Sequence, residues 1–152
     1  MSLKDRIGEE VKVAMRARDR NRLGALRLIQ SEIKQFEVDE RREADDDAVL
    51  AILNRMLKQR RDSIEQYRRG ERDDLAAIEE AEVAVIREFM PEALEPDAVT
   101  ILIEQAIAET GASGPKDMGQ VMAVLKPVLL GRADMGEVSR QVRARLQGPA
   151  GG

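Results

Sequence analysis

Residues Lys116–Asp134 read KDMGQVMAVLKPVLLGRAD. The apolar residues of this stretch recur at mostly three- and four-residue intervals, which places them on one face of a helix: Val121, Met122, Leu125 and Leu129. Pro115 suits the first helical turn, whereas Pro127 predicts that the helix kinks or ends early. Gly131 begins a turn that runs to Gly136. The stretch therefore predicts a short helix that ends in a glycine turn.

Two further short helices are predicted on either side of this one. The first covers residues 97–110 and stops at Gly111, and the last covers residues 138–146. Upstream, Pro91 and Pro96 bracket the segment PEALEP, which cannot continue a helix. We therefore predict a linker at residues 91–96 and a C-terminal three-helix domain at residues 97–147.

Residues 1–90 show the same helical period in four segments, and none alternates as a strand does. Ser2 with Asp5 resembles a capping box at the start of the first helix. Asp45–Asp47 offer N-caps for the third helix, and Gly70 is placed to end it. The inward side chains of the fourth helix are predicted to be Leu75, Ile78, Val85, Ile86 and Phe89. The predicted fold class is all-α, a four-helix N-terminal region followed by a smaller three-helix C-terminal domain.

The composition argues against catalysis. The chain has no cysteine and no histidine, which excludes disulfides, thiolate nucleophiles, Ser-His triads and the usual zinc or haem ligands. We therefore expect no catalytic residues, no metal, no cofactor and no activity of the isolated chain. Aromatic residues make up only 2% of the sequence, too few for a platform on which single-stranded bases stack.

The sequence contains no apolar run near the ~18 residues that span a bilayer. Its N-terminus, MSLKDRIGEE, lacks the apolar centre of a secretory signal. From these two observations we predict no membrane partner and a cytoplasmic location.

The net charge of −4 conceals alternating blocks. Residues 12–34 hold seven basic side chains against two acids, and residues 35–54 hold seven acids against two arginines. Residues 55–72 are again basic, and residues 73–104 hold ten acids and one base. Because such blocks lie on neighbouring helices, we expect the N-terminal ones to pair with each other rather than to attract polyanions.

Two motifs are considered as sites and set aside. Glu79, Glu80 and Glu82 form an acidic cluster, but the di-iron carboxylate pattern also needs Glu-x-x-His partners, so a solvated face is expected. The loop Gly111–Gly114 precedes a helix, as anion-binding loops do, yet it lacks the rest of a dinucleotide or P-loop fingerprint. We expect its glycines to supply positive φ angles.

The basic residues of the C-terminal region form the sharper candidate. Lys116 stands at a helix start, where a cation opposes the helix dipole. Lys126 follows the core position Leu125 and should point outward, and Arg132 lies in the turn after Gly131. The last helix adds more cations. Positioned cations suffice to bind phosphate without base specificity. The predicted nucleic-acid-binding residues are Lys116, Lys126, Arg132, Arg140 and Arg143.

Several strings together resemble the GatB/YqeY family, which comprises free-standing YqeY-like proteins and the tail domain of the B subunit of the glutamine-dependent tRNA amidotransferase. The strings are the Lys116–Asp134 stretch quoted first, LRLIQSEIKQFEVDER (Leu26–Arg41), LKQRRDSIEQYRRGERDDLA (Leu57–Ala76) and ETG (Glu109–Gly111). The resemblance implies an all-helical fold and a partner that is tRNA or a complex of tRNA with an amidotransferase or synthetase, because the tail domain is the part that contacts tRNA.

The resemblance does not imply an active site. In that family the reaction resides in a glutaminase subunit and in a separate catalytic part of the B subunit, so a description as a carbon–nitrogen ligase with glutamine as amido-N-donor would be only a family label. The alternative to RNA binding is a protein-interaction adaptor. Its partner-binding residues would be Arg60, Arg61 and Tyr67 on the third helix.

Overall fold

A computed structural model describes residues 1–147. In this range the chain forms seven α-helices and one 3₁₀ turn, with no strand beyond an isolated bridge between Leu130 and Ala133. The all-α prediction is therefore confirmed. The helices are α1 (Leu3–Ala17), α2 (Arg20–Glu40), α3 (Asp46–Arg69), α4 (Asp73–Arg87), α5 (Pro96–Thr110), α6 (Met118–Leu129) and α7 (Met135–Gln147), with the 3₁₀ turn at Pro115–Asp117.

Contacts divide the chain into two compact units, Met1–Met90 and a second that begins at Pro91. The N-terminal unit contains α1 to α4, and the C-terminal unit contains α5 to α7. No helix in residues 1–147 combines the length and apolar character that crossing a bilayer requires.

Three of the four helix starts of the N-terminal unit have a side-chain cap, and only α4, which follows Arg72, has none. Ser2 Oγ accepts a hydrogen bond of 3.1 Å from the Asp5 backbone N–H, and Asp45 Oδ1 accepts one of 2.9 Å from Ala48. These bonds satisfy N–H groups that the first turn of a helix leaves without partners. Gly70 is the C-cap of α3 as predicted, although its φ is −85° and a positive φ occurs instead at Glu71.

The core of the N-terminal unit joins all four helices. α1 packs on α2, and α3 packs on α4. The prediction that Ile78 faces inward is wrong, because this residue is 59% exposed. Ala76, two residues earlier, is 2% exposed and takes the buried position. The larger side chains buried in this core include Ile7, Leu26, Ile29, Leu53, Met56, Leu57 and Ile86.

The core of the C-terminal unit is aliphatic and draws on all three of its helices, and its buried members include Ile103, Val121, Leu125, Leu129, Val138 and Val142. α6 continues for two residues beyond Pro127 and then ends. Upstream of α5, Leu94 packs against this core, and its N–H donates to the Arg132 carbonyl at 2.9 Å. The segment before α5 is thus attached to the turn between α6 and α7.

Candidate nucleic-acid interface

The turn before α6 presents Lys116. Gly111 ends α5 with a φ of 66°, as predicted, but Gly114 is extended, with a φ of −162°. The Ser113 N–H donates to Asp117 Oδ2 at 2.9 Å, and this bond lowers the pKa of the Asp117 carboxyl. Lys116 therefore projects from a well-defined turn, and its side chain is exposed.

Lys126 and Arg143 have equivalent places on their helices. Lys126 directly follows buried Leu125 on α6, and Arg143 directly follows buried Val142 on α7. A step of one residue turns the side chain by about 100° away from the core direction. Both cations are exposed and lie beside the buried face of their helix. Within residues 1–147 neither has a carboxylate within ion-pair distance.

The other two predicted cations have intramolecular partners. Arg132 is half-buried, and its Nε donates to the Glu92 carbonyl at 3.3 Å. Arg140 pairs with Glu137 at 2.5 Å on the same helix, and this hydrogen bond raises the pKa of Arg140. The C-terminal unit therefore has three predicted cations that point to solvent without an ion pair in the described chain, Lys116, Lys126 and Arg143, and two that are already engaged.

The predicted partner-binding residues lie on α3, in different surroundings. The Arg60 side chain is only 14% exposed, and its Nε lies 2.8 Å from Glu82 Oε2 and 3.9 Å from Glu79 Oε2. Arg61 is exposed and Tyr67 is half-buried. Arg60 thus connects α3 to α4 inside the N-terminal unit, and Arg61 is the exposed member of the three.

The acidic cluster on α4 faces α3 more than solvent. Glu79 and Glu82 flank Arg60, and Glu80 pairs with Arg68. Burial, followed by the nearby charge of Glu82, raises the pKa of Glu79. The expectation of a solvated face is therefore wrong for Glu79 and Glu82, because two helices that are distant in sequence bring an arginine between these carboxylates. No group of three potential metal ligands occurs in the described residues.

The expected pairing of the N-terminal charge blocks is confirmed for several cations. Arg22 lies 3.0 Å from Glu10 and 2.5 Å from Glu88, so it joins α2 to α1 and to the residue after α4. Arg60–Glu82 and Arg68–Glu80 likewise pair the basic block 55–72 with the acidic block 73–104. Lys4–Glu37 and Arg55–Glu32 also join helices, but they do not pair opposite blocks.

These features define a class of protein: a helical chain in two units, with opposite charge blocks paired across helices and cations exposed on the smaller unit. The family model for Yqey-like protein matches residues 4–146. The chain belongs to the YqeY-like family.

Several curated relatives are fungal proteins. An uncharacterized protein of Schizosaccharomyces pombe is 34% identical over 79 residues, which cover 52% of this chain and 64% of that protein. "Altered inheritance of mitochondria protein 41, mitochondrial" of Pyrenophora tritici-repentis is 27% identical over 141 residues, covering 91% of this chain and 77% of the relative. The protein of the same name from Lachancea thermotolerans is 32% identical over 83 residues, covering 54% of this chain and 44% of the relative.

The predicted cytoplasmic location is overturned by these names, because relatives from several fungi are called mitochondrial. The physical reason is that a missing apolar segment argues only against secretion. Sequences that direct proteins to mitochondria are amphipathic and rich in arginine, so they leave no apolar run to detect.

Proposed function

We propose that this YqeY-like chain is a non-catalytic helical module that binds tRNA, or a complex carrying tRNA, through its C-terminal unit. The observation that supports the proposal is the set of exposed cations in the C-terminal unit that have no ion pair within residues 1–147: Lys116, Lys126 and Arg143. The chain has a net charge of −4, so the cations that form no intramolecular ion pair are the groups available to an anionic partner.

The arrangement of the elements supports this assignment. The 3₁₀ turn that carries Lys116 packs on both α6 and α7, the helices that carry Lys126 and Arg143. Contacts to phosphate fix position and orientation without reading bases, and lysine and arginine are the side chains that make them. The C-terminal unit would therefore recognise the shape and backbone of a folded RNA rather than a base sequence.

Arg132 and Arg140 would contribute in a second way. Arg140 and Glu137 are 64% and 52% exposed, and such surface pairs are weak, so a phosphate can replace the carboxylate. Arg132 uses its Nε on the Glu92 carbonyl, which leaves its terminal nitrogens for a ligand. All five predicted residues thus remain in the proposal, with the three unpaired cations as its main contacts.

The experiment is a titration of fluorescently labelled tRNA with the full chain at several salt concentrations. Lys126→Gln with Arg143→Gln removes two cations without adding repulsion. We expect affinity to fall by about tenfold or more at low salt, and the log–log salt slope to shrink by about 1.8, which is about 0.9 for each lost contact on duplex. The matched control is Lys58→Gln with Arg61→Gln, two exposed cations on α3.

Two results would overturn the proposal: no tRNA binding at low salt, or equal binding and slope in the C-terminal variant and the wild type. Loss of tRNA affinity in the control alone would mean that the RNA contacts α3, and it would contradict the assignment of the contact to the C-terminal unit. Turnover of glutamine or ATP by the purified chain alone would contradict the non-catalytic part of the proposal.

A further inference from the structure

One side of α2 carries a row of four cations at seven-residue intervals: Arg20, Arg27, Lys34 and Arg41. We call this row the basic ridge. Seven residues are almost two helical turns, so the four side chains emerge on the same side, about 10 Å apart, over a length of about 30 Å. Arg20 is the first residue of α2 and Arg41 is its C-cap, so the ridge runs the whole length of the helix, and all four residues are exposed.

The basic ridge is not neutralised within the N-terminal unit. Among residues 1–147 none of its four cations lies within ion-pair distance of a carboxylate, and Arg27 contacts only the sulfur of Met15, at 3.6 Å. Within α2 the one acid three or four positions from a ridge residue is Glu37. Glu37 is already occupied by Lys4 and by the Ala44 N–H.

A cleft lies beside the ridge. It separates α1 from α2, has a volume of about 730 Å³, and is lined by Lys4, Lys12 and Lys34 together with Asp5, Glu9 and Glu37. Lys4 pairs with Glu37 and Lys12 with Glu9, so Lys34 is the lysine of this lining without an ion pair among residues 1–147. Gly8 also lines it, and a Cβ atom added there would meet nothing within 4 Å. Glycine inside a helix is destabilising relative to alanine. No contact within the chain requires a glycine at this position, so the space beside it is open to a ligand.

The last member of the ridge, Arg41, has a left-handed backbone conformation. Its φ is 54°, in the left-handed region where glycine is favoured at the end of a helix. Arg18 and Glu71 have the same conformation just after α1 and α3, so it is a feature of helix ends and does not by itself indicate a site. Keeping an arginine at this position adds the fourth positive charge to the ridge at the expense of helix-end stability.

We propose that the basic ridge and the adjoining cleft form a second RNA-backbone contact surface, on the N-terminal unit. The proposal rests on the proposed function, RNA binding, and adds a second contact to it. A regular row of unpaired cations matches the repeating anions of a phosphodiester chain. A membrane surface fits less well, because a helix that lies in a bilayer interface needs a broad exposed apolar face, and α2 buries its apolar face through Leu26, Ile29 and Ile33.

The test compares three double variants of the full chain in the same tRNA titration. Arg27→Gln with Lys34→Gln removes the centre of the ridge, Lys126→Gln with Arg143→Gln removes the C-terminal cations, and Lys58→Gln with Arg61→Gln is the control. We expect the ridge variant to bind about tenfold or more weakly at low salt, with a salt slope smaller by about 1.8, and the control to change little.

A size series at Gly8 tests the cleft. Gly8→Ala adds only a Cβ into open space and is expected to keep tRNA affinity, while Gly8→Leu fills the cleft and is expected to weaken binding several-fold. Because a Cβ at position 8 meets nothing within 4 Å and the position borders the cleft, thermal unfolding should show that both variants are folded.

The outcomes separate the two proposals. If the C-terminal variant loses affinity and the ridge variant and Gly8→Leu do not, the ridge proposal fails and the proposed function stands. If only the ridge variants lose affinity, the chain binds RNA through the ridge and the C-terminal contact fails. Absence of any tRNA binding overturns both, as does binding to vesicles rich in phosphatidylserine without binding to tRNA.

Discussion

Lys4 Nζ donates a hydrogen bond of 2.8 Å to Glu37 Oε2, and the same oxygen accepts a second one, also of 2.8 Å, from the Ala44 backbone N–H. One carboxylate thus connects α1, the last part of α2 and the loop that leads into α3. Its hydrogen bond from Lys4, followed by the one from Ala44, lowers the pKa of Glu37, and the same contact raises the pKa of Lys4.

Glu37→Gln is expected to reduce the loss of folding stability that acidification causes. Because the pKa of Glu37 is lower in the folded state than in the unfolded state, its contribution is present above the ordinary value near 4.5 and is lost as the pH falls through the folded value. The variant should be less stable than the wild type at pH 7, and the difference should shrink below about pH 4.5. Urea unfolding at both pH values measures this. A difference that grows on acidification would contradict it.

Glu79→Gln should show the opposite pH trend. Burial and the charge of Glu82 raise the pKa of Glu79 in the folded state, so its ionisation costs stability as the pH rises through the raised value. Relative to the wild type, the variant is expected to gain stability between acid and neutral pH. The same unfolding series provides the measurement. If the stability of the variant relative to the wild type fell between acid and neutral pH, the attraction of Arg60 for the Glu79 carboxylate would outweigh the effect of burial.

Arg60→Ala should destabilise the N-terminal unit by about 1.5–3 kcal/mol, because it removes a charged hydrogen bond at a mostly buried position and leaves Glu82 without its partner. Arg55→Ala is the matched control on the same helix. The Arg55–Glu32 pair is 57% and 44% exposed, so the control should lose no more than about 1 kcal/mol. Denaturant unfolding at pH 7 compares the two, and equal losses would refute the assignment of Arg60 as an internal contact.

Gly111→Ala should cost the C-terminal unit about 1 kcal/mol, since its φ of 66° is unfavourable for a residue with a Cβ. Gly114→Ala is the control in the same loop. Gly114 is extended and has open space around it, so its substitution should change stability by no more than about 0.5 kcal/mol. Thermal unfolding of both variants decides the matter, and a neutral Gly111→Ala would mean that the loop adopts another conformation.

Arg41→Gly should separate stability from RNA binding. Glycine relieves the left-handed backbone, so stability is expected to rise by about 1 kcal/mol, while the tRNA affinity falls because the ridge loses a cation. Glu71→Gly, at a φ of 57° after α3, should gain similar stability without a loss of affinity. Unfolding and tRNA titration of the same preparations test both expectations. Unchanged affinity in Arg41→Gly would remove Arg41 from the ridge surface.

Much of the fold could be predicted because the signals are local. Ser2 and Asp45 cap helices through bonds to residues three positions ahead, which a sequence displays directly. Ile78 could not be placed in this way. Ala76 takes the buried position on α4, and only the direction from which α3 approaches decides between two apolar residues that are two positions apart.

The candidate sites were less predictable, because whether a charged side chain has an ion-pair partner depends on residues far away in sequence. Arg60 pairs with Glu82, 22 residues away in sequence, and Arg22 pairs with Glu88, 66 residues away. The composition of the charge blocks could therefore indicate that pairing occurs, but not which cations are left without a partner. The ridge did have a sequence signal, the seven-residue interval from Arg20 to Arg41. Its meaning became clear only when the structure showed that those four residues have no ion pairs within residues 1–147.

The aliphatic core of the C-terminal unit has a spectroscopic consequence. The aromatic residues of this sequence, Phe36, Tyr67 and Phe89, all precede Pro91, and tryptophan is absent. Near-ultraviolet circular dichroism and tyrosine fluorescence will therefore report on the N-terminal unit alone. Ring-current shifts in the methyl NMR spectrum will likewise arise from side chains around those three rings, so an event at Lys126 or Arg143 must be followed through the methyl groups of valine, leucine and isoleucine or through a label added for the purpose.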